Sequence, residues 1–274
     1  MFIERYDGSA LMIEVDEKIY DVKSLQRIQI FKTKSFGKML VLDGKIQFTE
    51  RDEFFYHEML VHPAMLLHEN PDEVLIIGGG DGGALREVLK HNPKRVTLVE
   101  IDRNVIDACK RYIGIDRGSL DDDRVEIVYG NGFEFVMNTD RNFDVIIVDG
   151  TDPNTISSPL ISKRFYEKCS RMCDYFVTQA QSPFIQVEYF KSILRNAVFR
   201  NKAVYLGYVP TYPHGLWSYL IGSNRRELTV DLNTLNERYE KRGLETRYYT
   251  PELHVSSFVL PKWIRDIVNS VLRE

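Results

Sequence analysis

The run Glu73-Val74-Leu75-Ile76-Ile77 passes directly into Gly78-Gly79-Gly80-Asp81-Gly82-Gly83, then into a helical pattern over 84–90, then into a second apolar run over 95–99 that ends in Glu100. A strand, a glycine-rich turn, a helix and a second strand in this order form one right-handed parallel crossover, which leaves few topologies open to the chain. Backbone amides at such a turn, with the helix N-terminus behind them, approach a ligand closely. Glu100 lies 20 residues after Gly80, where an acid in this fold accepts hydrogen bonds from ribose hydroxyls. The stretch therefore predicts a nucleoside site. Asp81 narrows the ligand further, because a carboxylate inside the loop repels a pyrophosphate and suits a cation. A dinucleotide fits poorly there, whereas the sulfonium and adenosine of an adenosylmethionine-type molecule meet both demands.

The same grammar continues with a helix over 103–112, strands over 125–128, 143–148 and 175–178, a helix near 188–198 and a strand over 203–208. The alternation predicts an α/β fold, a Rossmann-like, doubly wound, mostly parallel sheet of methyltransferase-like type. Up to Glu50 the pattern differs, with short period-two runs such as Ile28-Gln29-Ile30-Phe31, and Asp43-Gly44 sits between two strand-like segments as a hairpin signal. A small antiparallel β domain is expected over 1–52, a linker helix over 53–70 and the Rossmann-like catalytic domain over 71–274. Phe55, Met59, Leu60, Ala64 and Leu67 recur at helical spacing in the linker, where Pro63 is expected to bend or restart the helix.

Composition excludes several classes. Hydrophobic residues make up 43% and charged residues 28% of 274, which is globular usage rather than disorder. The balance of 36 basic against 40 acidic side chains offers nothing to a phosphate backbone and favours cationic ligands, so no nucleic-acid partner is expected. Three cysteines, Cys109, Cys169 and Cys173, imply no disulfide framework. His57 and His62 are five apart rather than the four of a zinc helix, and no metal is expected. The N-terminus lacks a basic flank and no run approaches 18 apolar residues, so no membrane partner is expected and the location is expected to be cytoplasmic.

A further strand ends in Asp149-Gly150-Thr151-Asp152-Pro153, again at the carboxyl edge of the sheet. Turn-capping by these Asp side chains is one reading. The other, supported by acids at neighbouring strand ends, is an anionic pocket of Asp81, Glu100, Asp149 and Asp152. Tyr56-His57 and Pro210-Thr211-Tyr212-Pro213 could supply it with aromatic and polar groups or simply pack.

The ordered set Val41-Leu42-Asp43-Gly44, Thr49-Glu50-Arg51-Asp52-Glu53, Tyr56-His57-Glu58-Met59, Gly78-Gly79-Gly80-Asp81-Gly82-Gly83, Val99-Glu100-Ile101-Asp102, Pro210-Thr211-Tyr212-Pro213 and Tyr249-Thr250-Pro251-Glu252-Leu253-His254 closely resembles the spermidine synthases, the polyamine aminopropyltransferases. The resemblance implies transfer of an aminopropyl group from decarboxylated S-adenosylmethionine, a co-substrate rather than a bound cofactor, to a small cationic polyamine, with release of methylthioadenosine. It also implies a homodimer or homotetramer. By position, Gln26, Glu100, Asn131 and Gly132 match nucleoside-binding residues and Asp81 matches the acid that holds the aminopropyl amine. Tyr56, His57, Asp152, Gln179 and Tyr212 match the amine path, and Asp149 matches the catalytic acid. Two departures stand out. Gly130-Asn131-Gly132 replaces the family's Gly-Asp-Gly, with the Asn carbonyl expected to accept from the adenine amino group, and Asn154-Thr155-Ile156-Ser157-Ser158-Pro159 replaces the usual Gly-Pro-Ala. The segment 150–165 is expected to be a loop that closes over the site.

An S-adenosylmethionine-dependent methyltransferase would share the glycine loop and ribose acid but needs a partner for the amino-acid carboxylate. A non-catalytic polyamine or nucleoside sensor would need no attack-positioned Asp149. The identity of the amine acceptor stays open among putrescine, agmatine, cadaverine, spermidine and diaminopropane.

Overall fold

The structure, a computed structural model, describes residues 1–6, 8–151 and 157–273. Strands β1 (Phe2–Tyr6) and β2 (Ser9–Ile13) form an antiparallel pair, and β3 (Val15–Lys23), β4 (Arg27–Thr33), β5 (Lys38–Leu42) and β6 (Lys45–Thr49) form a four-stranded antiparallel sheet in chain order. The β5–β6 turn is Asp43-Gly44, both at positive φ (46° and 82°), which a hairpin with right-handed strand twist requires.

Helix α1 (Glu53–Leu67) leads into β7 (Glu73–Gly78), α2 (Gly83–Leu89), β8 (Arg95–Glu100), α3 (Arg103–Tyr112), β9 (Val125–Tyr129), α4 (Gly132–Asn138), β10 (Phe143–Asp149), α5 (Lys163–Met172), β11 (Cys173–Gln179) and α6 (Val187–Asn196). Then come β12 (Asn201–Tyr208), β13 (Leu216–Ser223), α7 (Leu232–Lys241), α8 (Pro251–Ser257) and α9 (Lys262–Arg273). The seven strands order as β12-β13-β11-β10-β7-β8-β9. The pairings from β11 to β9 are parallel, and β13 runs antiparallel to both β11 and β12. β13 escapes the sequence pattern because Trp217 to Ser223 are buried throughout, so no polar face marks a period of two.

Successive strand residues feed two cores. Val74, Ile76, Val145 and Ile147 pack toward α1 and α2, whereas Leu75, Ile77, Ile146 and Val148 pack toward Phe165, Tyr166 and Phe190 of α5 and α6. A third core joins the N-terminal sheet to α3, through Ile28, Ile30, Leu40 and Phe48 against Val105, Ala108 and Cys109.

Every residue of α1 except Phe55 is buried, so it is an internal strut rather than an exposed linker. Pro63 does not interrupt it. The carbonyl that Pro63 leaves unpaired, that of Met59, accepts instead from the Tyr205 hydroxyl at 2.8 Å. The C-terminal carbonyls of α1 are met by α7 and the residue after it: Arg238 donates to Leu66 and Leu67, and Arg242 to Met65 and His68. Mid-helix, the Glu58 carboxylate accepts from the backbone N–H groups of Arg247, Tyr248 and Tyr249, each at 2.8 Å.

Glu58→Gln would turn an amide donor toward those backbone donors. With the carboxylate only 1% exposed, the loss is expected at about 2–4 kcal/mol, or roughly 5–12 °C in midpoint for a chain of this size. Thermal unfolding followed by circular dichroism checks it, and a midpoint within about 1 °C of wild type would contradict the role of this nest.

Candidate active site

β7 has β8 on one side and β10 on the other, so the chain reverses its winding there and opens a crevice at the carboxyl ends of the strands. Parallel register sets Asp149 opposite Gly78. Gly78 has φ +80°, and a Cβ there would collide with the Asp149 carbonyl, so only glycine lets β10 close on the loop. At Gly80 a Cβ would stand 2.8 Å from Glu100 Oε2, the atom that accepts from Gly80 N–H at 3.1 Å.

The crevice widens into a cleft open to solvent. Gln26, Tyr56, His57, Asp81, Glu100, Asn131, Gly132, Asp149, Gln179 and Tyr212 all line it. Asp152 lies outside the described residues. Of the expected covering loop, Ser158–Ile161 instead forms a 3-10 turn and α5 already begins at Lys163, with Ser162 accepting from Phe165 N–H as its cap. The Ser157-Ser158-Pro159 run supplies the turn and Ser162 the cap, so a polar, Pro-containing segment is not by itself a loop.

Asp149 Oδ1 accepts from the Tyr56 hydroxyl at 2.7 Å, while Oδ2, also buried, has no hydrogen-bond partner among the described residues. Burial and the Asp81 charge push this carboxyl up to about 6, against the opposing pull of His57 and Tyr56. Tyr56 itself is pushed well up by burial and by Asp149, so it stays a donor. His57 Nδ1 pairs with Glu53 at 2.7 Å and Nε2 faces Asp81 at 3.4 Å. Burial opposes its charge, but Asp81 and Glu53 outweigh burial and bring it up to about 9. Asp81 Oδ1 also accepts from Gly83 N–H at 2.6 Å. Between about pH 6 and 9 the cleft thus holds an ionised Asp149 beside an imidazolium.

At the β8 end of the cleft, burial raises Glu100 to about 7, with Asp81 and Asp102 adding to the shift and N–H donors from Asp102 and Gly80 opposing it. Asp102 also caps α3 and holds the β3–β4 turn, through Ser24 Oγ at 2.9 Å, so that Gln26 reaches the cleft. The Asn131 side-chain oxygen caps α4, accepting from Phe133 and Glu134 N–H at 2.9 and 3.3 Å, while the residue lines the cleft.

The profile of the spermine/spermidine synthase domain matches residues 53–233, and that of the spermidine synthase tetramerisation domain matches residues 1–50. A polyamine aminopropyltransferase of Archaeoglobus fulgidus is 50% identical over 272 residues, 99% of each chain, and one of Caldicellulosiruptor bescii is 41% identical over 93% of this chain and 92% of the other. This chain belongs to the spermine/spermidine synthase family. Its fold agrees: the crystal structure of spermidine synthase from Thermotoga maritima superposes with a TM-score of 0.92 at 40% identity, covering 98% of this chain and 94% of that one. A spermidine synthase in complex with the transition state analogue AdoDATO gives 0.93 at 40% identity over the same shares.

The synthase cleft also includes residues that the sequence reading passes over. Trp217 packs on Tyr212, with ring centroids 4.6 Å apart, and its buried indole N–H is unpartnered among the described residues. Glu4 comes from β1 and accepts from Ile46 N–H at 2.9 Å while pairing with Lys45 at 3.3 Å. Neither sits in a motif, and only the tertiary fold brings them to the cleft. Gln179 is fixed at both ends, accepting from Gln181 N–H at 3.0 Å and donating to the Gly150 carbonyl at 3.3 Å. Asp52 ties Tyr212 in place, accepting from Thr211 N–H at 2.9 Å, while the Tyr212 hydroxyl donates to the Gln47 carbonyl at 2.6 Å.

Tyr56 lowers the Asp149 pKa by hydrogen bonding, so Tyr56→Phe raises it. The acid limb of the pH profile for kcat/KM is expected near 6 in wild type and about one unit higher in the variant, so that kcat/KM falls roughly twofold at about pH 7 and by close to tenfold on the acid side of both limbs. An acid limb that stays put in the variant would separate Tyr56 from the titrating group.

Proposed function

We propose that the chain transfers the aminopropyl group of decarboxylated S-adenosylmethionine to a diamine such as putrescine, releasing methylthioadenosine. The observation that carries this reading is Asp149 itself, a half-buried carboxylate with one oxygen held by Tyr56 and the other enclosed without a partner among the described residues. The attacking nitrogen forms a bond to the carbon beside the sulfonium, the carbon–sulfur bond breaks and its electron pair returns sulfur to a neutral thioether. The nitrogen's surplus proton goes to Asp149 Oδ2. Asp81 holds the donor's amine; Gln26, Glu100, Asn131 and Gly132 hold its adenosine. Tyr56, His57, Gln179 and Tyr212 form the amine path, to which the resemblance alone assigns Asp152, and the Tyr212 and Trp217 rings suit the acceptor's distal ammonium.

A methyltransferase reading meets a specific obstacle. Among the described residues, the cationic side chains lining the cleft are Lys45, already paired with Glu4, and His57, already paired with Glu53 and Asp81, so an amino-acid carboxylate finds no uncommitted partner. We further infer a homodimer or homotetramer assembled through the N-terminal strands, where Ile3 and Met12 are exposed apolar residues. No helix among the described residues is long and apolar enough to cross a membrane.

Purified protein given decarboxylated S-adenosylmethionine and a panel of diamines, with propylamine as the monoamine, is expected to release methylthioadenosine detectable by mass spectrometry. Monoamine efficiency should be roughly ten- to hundredfold lower. Asp149→Asn should lower turnover by about 10²- to 10⁴-fold with donor affinity little changed. Use of S-adenosylmethionine as a methyl donor, or near wild-type turnover by the Asn variant, would overturn the reading.

A further inference from the structure

Behind the cleft, a chain of buried polar side chains continues inward from His57. Glu53 Oε2 takes both the His57 Nδ1 contact at 2.7 Å and a bond from Arg86 at 2.9 Å. Arg86 turns its Nε to Glu87 Oε1 at 2.8 Å and its third nitrogen to the Ile115 carbonyl at 2.7 Å. Glu87 Oε2 faces Lys90 at 2.6 Å and His62 Nε2 at 3.0 Å, and His62 Nδ1 meets His91 Nε2 at 2.8 Å. His91 Nδ1 lies 2.8 Å from Arg242.

The proton positions follow from the end of this chain. A guanidinium only donates, so His91 Nδ1 accepts, its proton sits on Nε2, and that proton is given to His62 Nδ1. His62 then carries its proton on Nε2 and donates it to Glu87. Burial and the neighbouring basic groups hold His91 well below the usual range, so its imidazole is neutral. The two histidines orient Glu87, and Arg86 is shared by two carboxylates.

We propose that Glu87 is a positioning residue for the transfer site: by sharing Arg86 with Glu53, it sets the negative charge that Glu53 presents to His57. The groups facing His57 are Glu53 from its own helix, Tyr56 beside it, Asp81 from the glycine loop and Asp149 from β10. Glu87, Arg86, Lys90 and Arg242 lie one contact further out. Removing the Glu87 charge leaves Arg86 to Glu53 alone, so Glu53 holds the His57 proton less tightly. Removing Lys90, which is 30% exposed at the far side of Glu87, has the opposite sign.

The inference rests on His57 facing the amine path, and its test is read in the free protein, independently of turnover. The His57 ring titration is followed by proton–nitrogen NMR, its signal assigned with His57→Gln. Glu87→Gln is expected to lower the His57 midpoint by about one unit, the size expected for losing one nearby charge at an effective dielectric near 20. Lys90→Met should raise it by about half a unit on the same basis, and Glu87→Asp, which keeps the charge, should leave it near wild type. The alkaline limb of kcat/KM should follow in the same directions. Loss of thermal stability in Glu87→Gln with an unmoved His57 midpoint would reduce Glu87 to a structural role. Should Glu87→Gln not fold, Lys90→Met decides alone, since an absent upward shift would overturn the proposal.

Discussion

The half-buried Asp149 carboxylate stands among other acids, and its proposed role as the base requires it to stay ionised there. Asp149, Asp81 and Glu100 converge at three adjacent strand ends along one wall of the cleft. Three acids in such a space would take up protons unless something opposes them. Two devices do. The Tyr56 hydroxyl bonds Asp149 directly, and the His57 imidazolium stands close to both Asp81 and Asp149. His57 is held in the charged form by Glu53, whose own carboxyl burial would raise but His57 and Arg86 bring down to about 2. The burial of α1, with its Pro63 carbonyl repaired by Tyr205 and its last turn capped by arginines, serves this arrangement because Tyr56 and His57 both ride on that helix.

Much of this was legible in the sequence, for a physical reason. The β7–loop–α2–β8 unit is local: glycines at 78–83 and the acid at 100 are fixed by spacing, and parallel pairing brings the ends together. The Asp43-Gly44 turn is local too, since positive φ at two successive residues is a one-dipeptide property. What stayed hidden is non-local or masked by burial. Residues of α1 are apolar or paired on every side, so periodicity reports a helix but not its depth. Glu58 reads as an ordinary surface acid until the 247–249 backbone folds over it. Trp217 and Glu4 reach the cleft from a strand without alternation and from the far N-terminus. The capping of α4 by Asn131 depends on the backbone turn that follows it, which the Gly130-Asn131-Gly132 run alone does not announce.

The two parts of the chain are joined by polar contacts as well as by the third core. Asp52 binds Thr49 at the end of β6 and Thr211 beside Tyr212, and Asp102 binds the β3–β4 turn that carries Gln26. Each acid thus links the N-terminal sheet to a cleft residue. Substrate contacts at both ends of the cleft consequently depend on the small sheet keeping its place.

In the proposed reaction a carboxyl with a pKa near 6 receives a proton from an amine. A free alkylammonium, like the lysine side chain, titrates near pKa ~10.4, so in water the transfer would run uphill by roughly four units, or about 6 kcal/mol. Burial acts on the two partners in opposite senses. It raises Asp149 because a carboxylate loses solvation, and it lowers an amine because an ammonium loses solvation too. Seating the reacting nitrogen against Oδ2, the unpartnered oxygen, closes the gap from both sides at once. The other end of the acceptor must stay charged to be held by the acids and aromatic rings, so only the nitrogen at Asp149 is to be stripped of water. A cleft that encloses Asp149 among Tyr56, His57 and Asp81 at one end and is lined by the Tyr212 and Trp217 rings further along distinguishes the two amines of one molecule by environment alone.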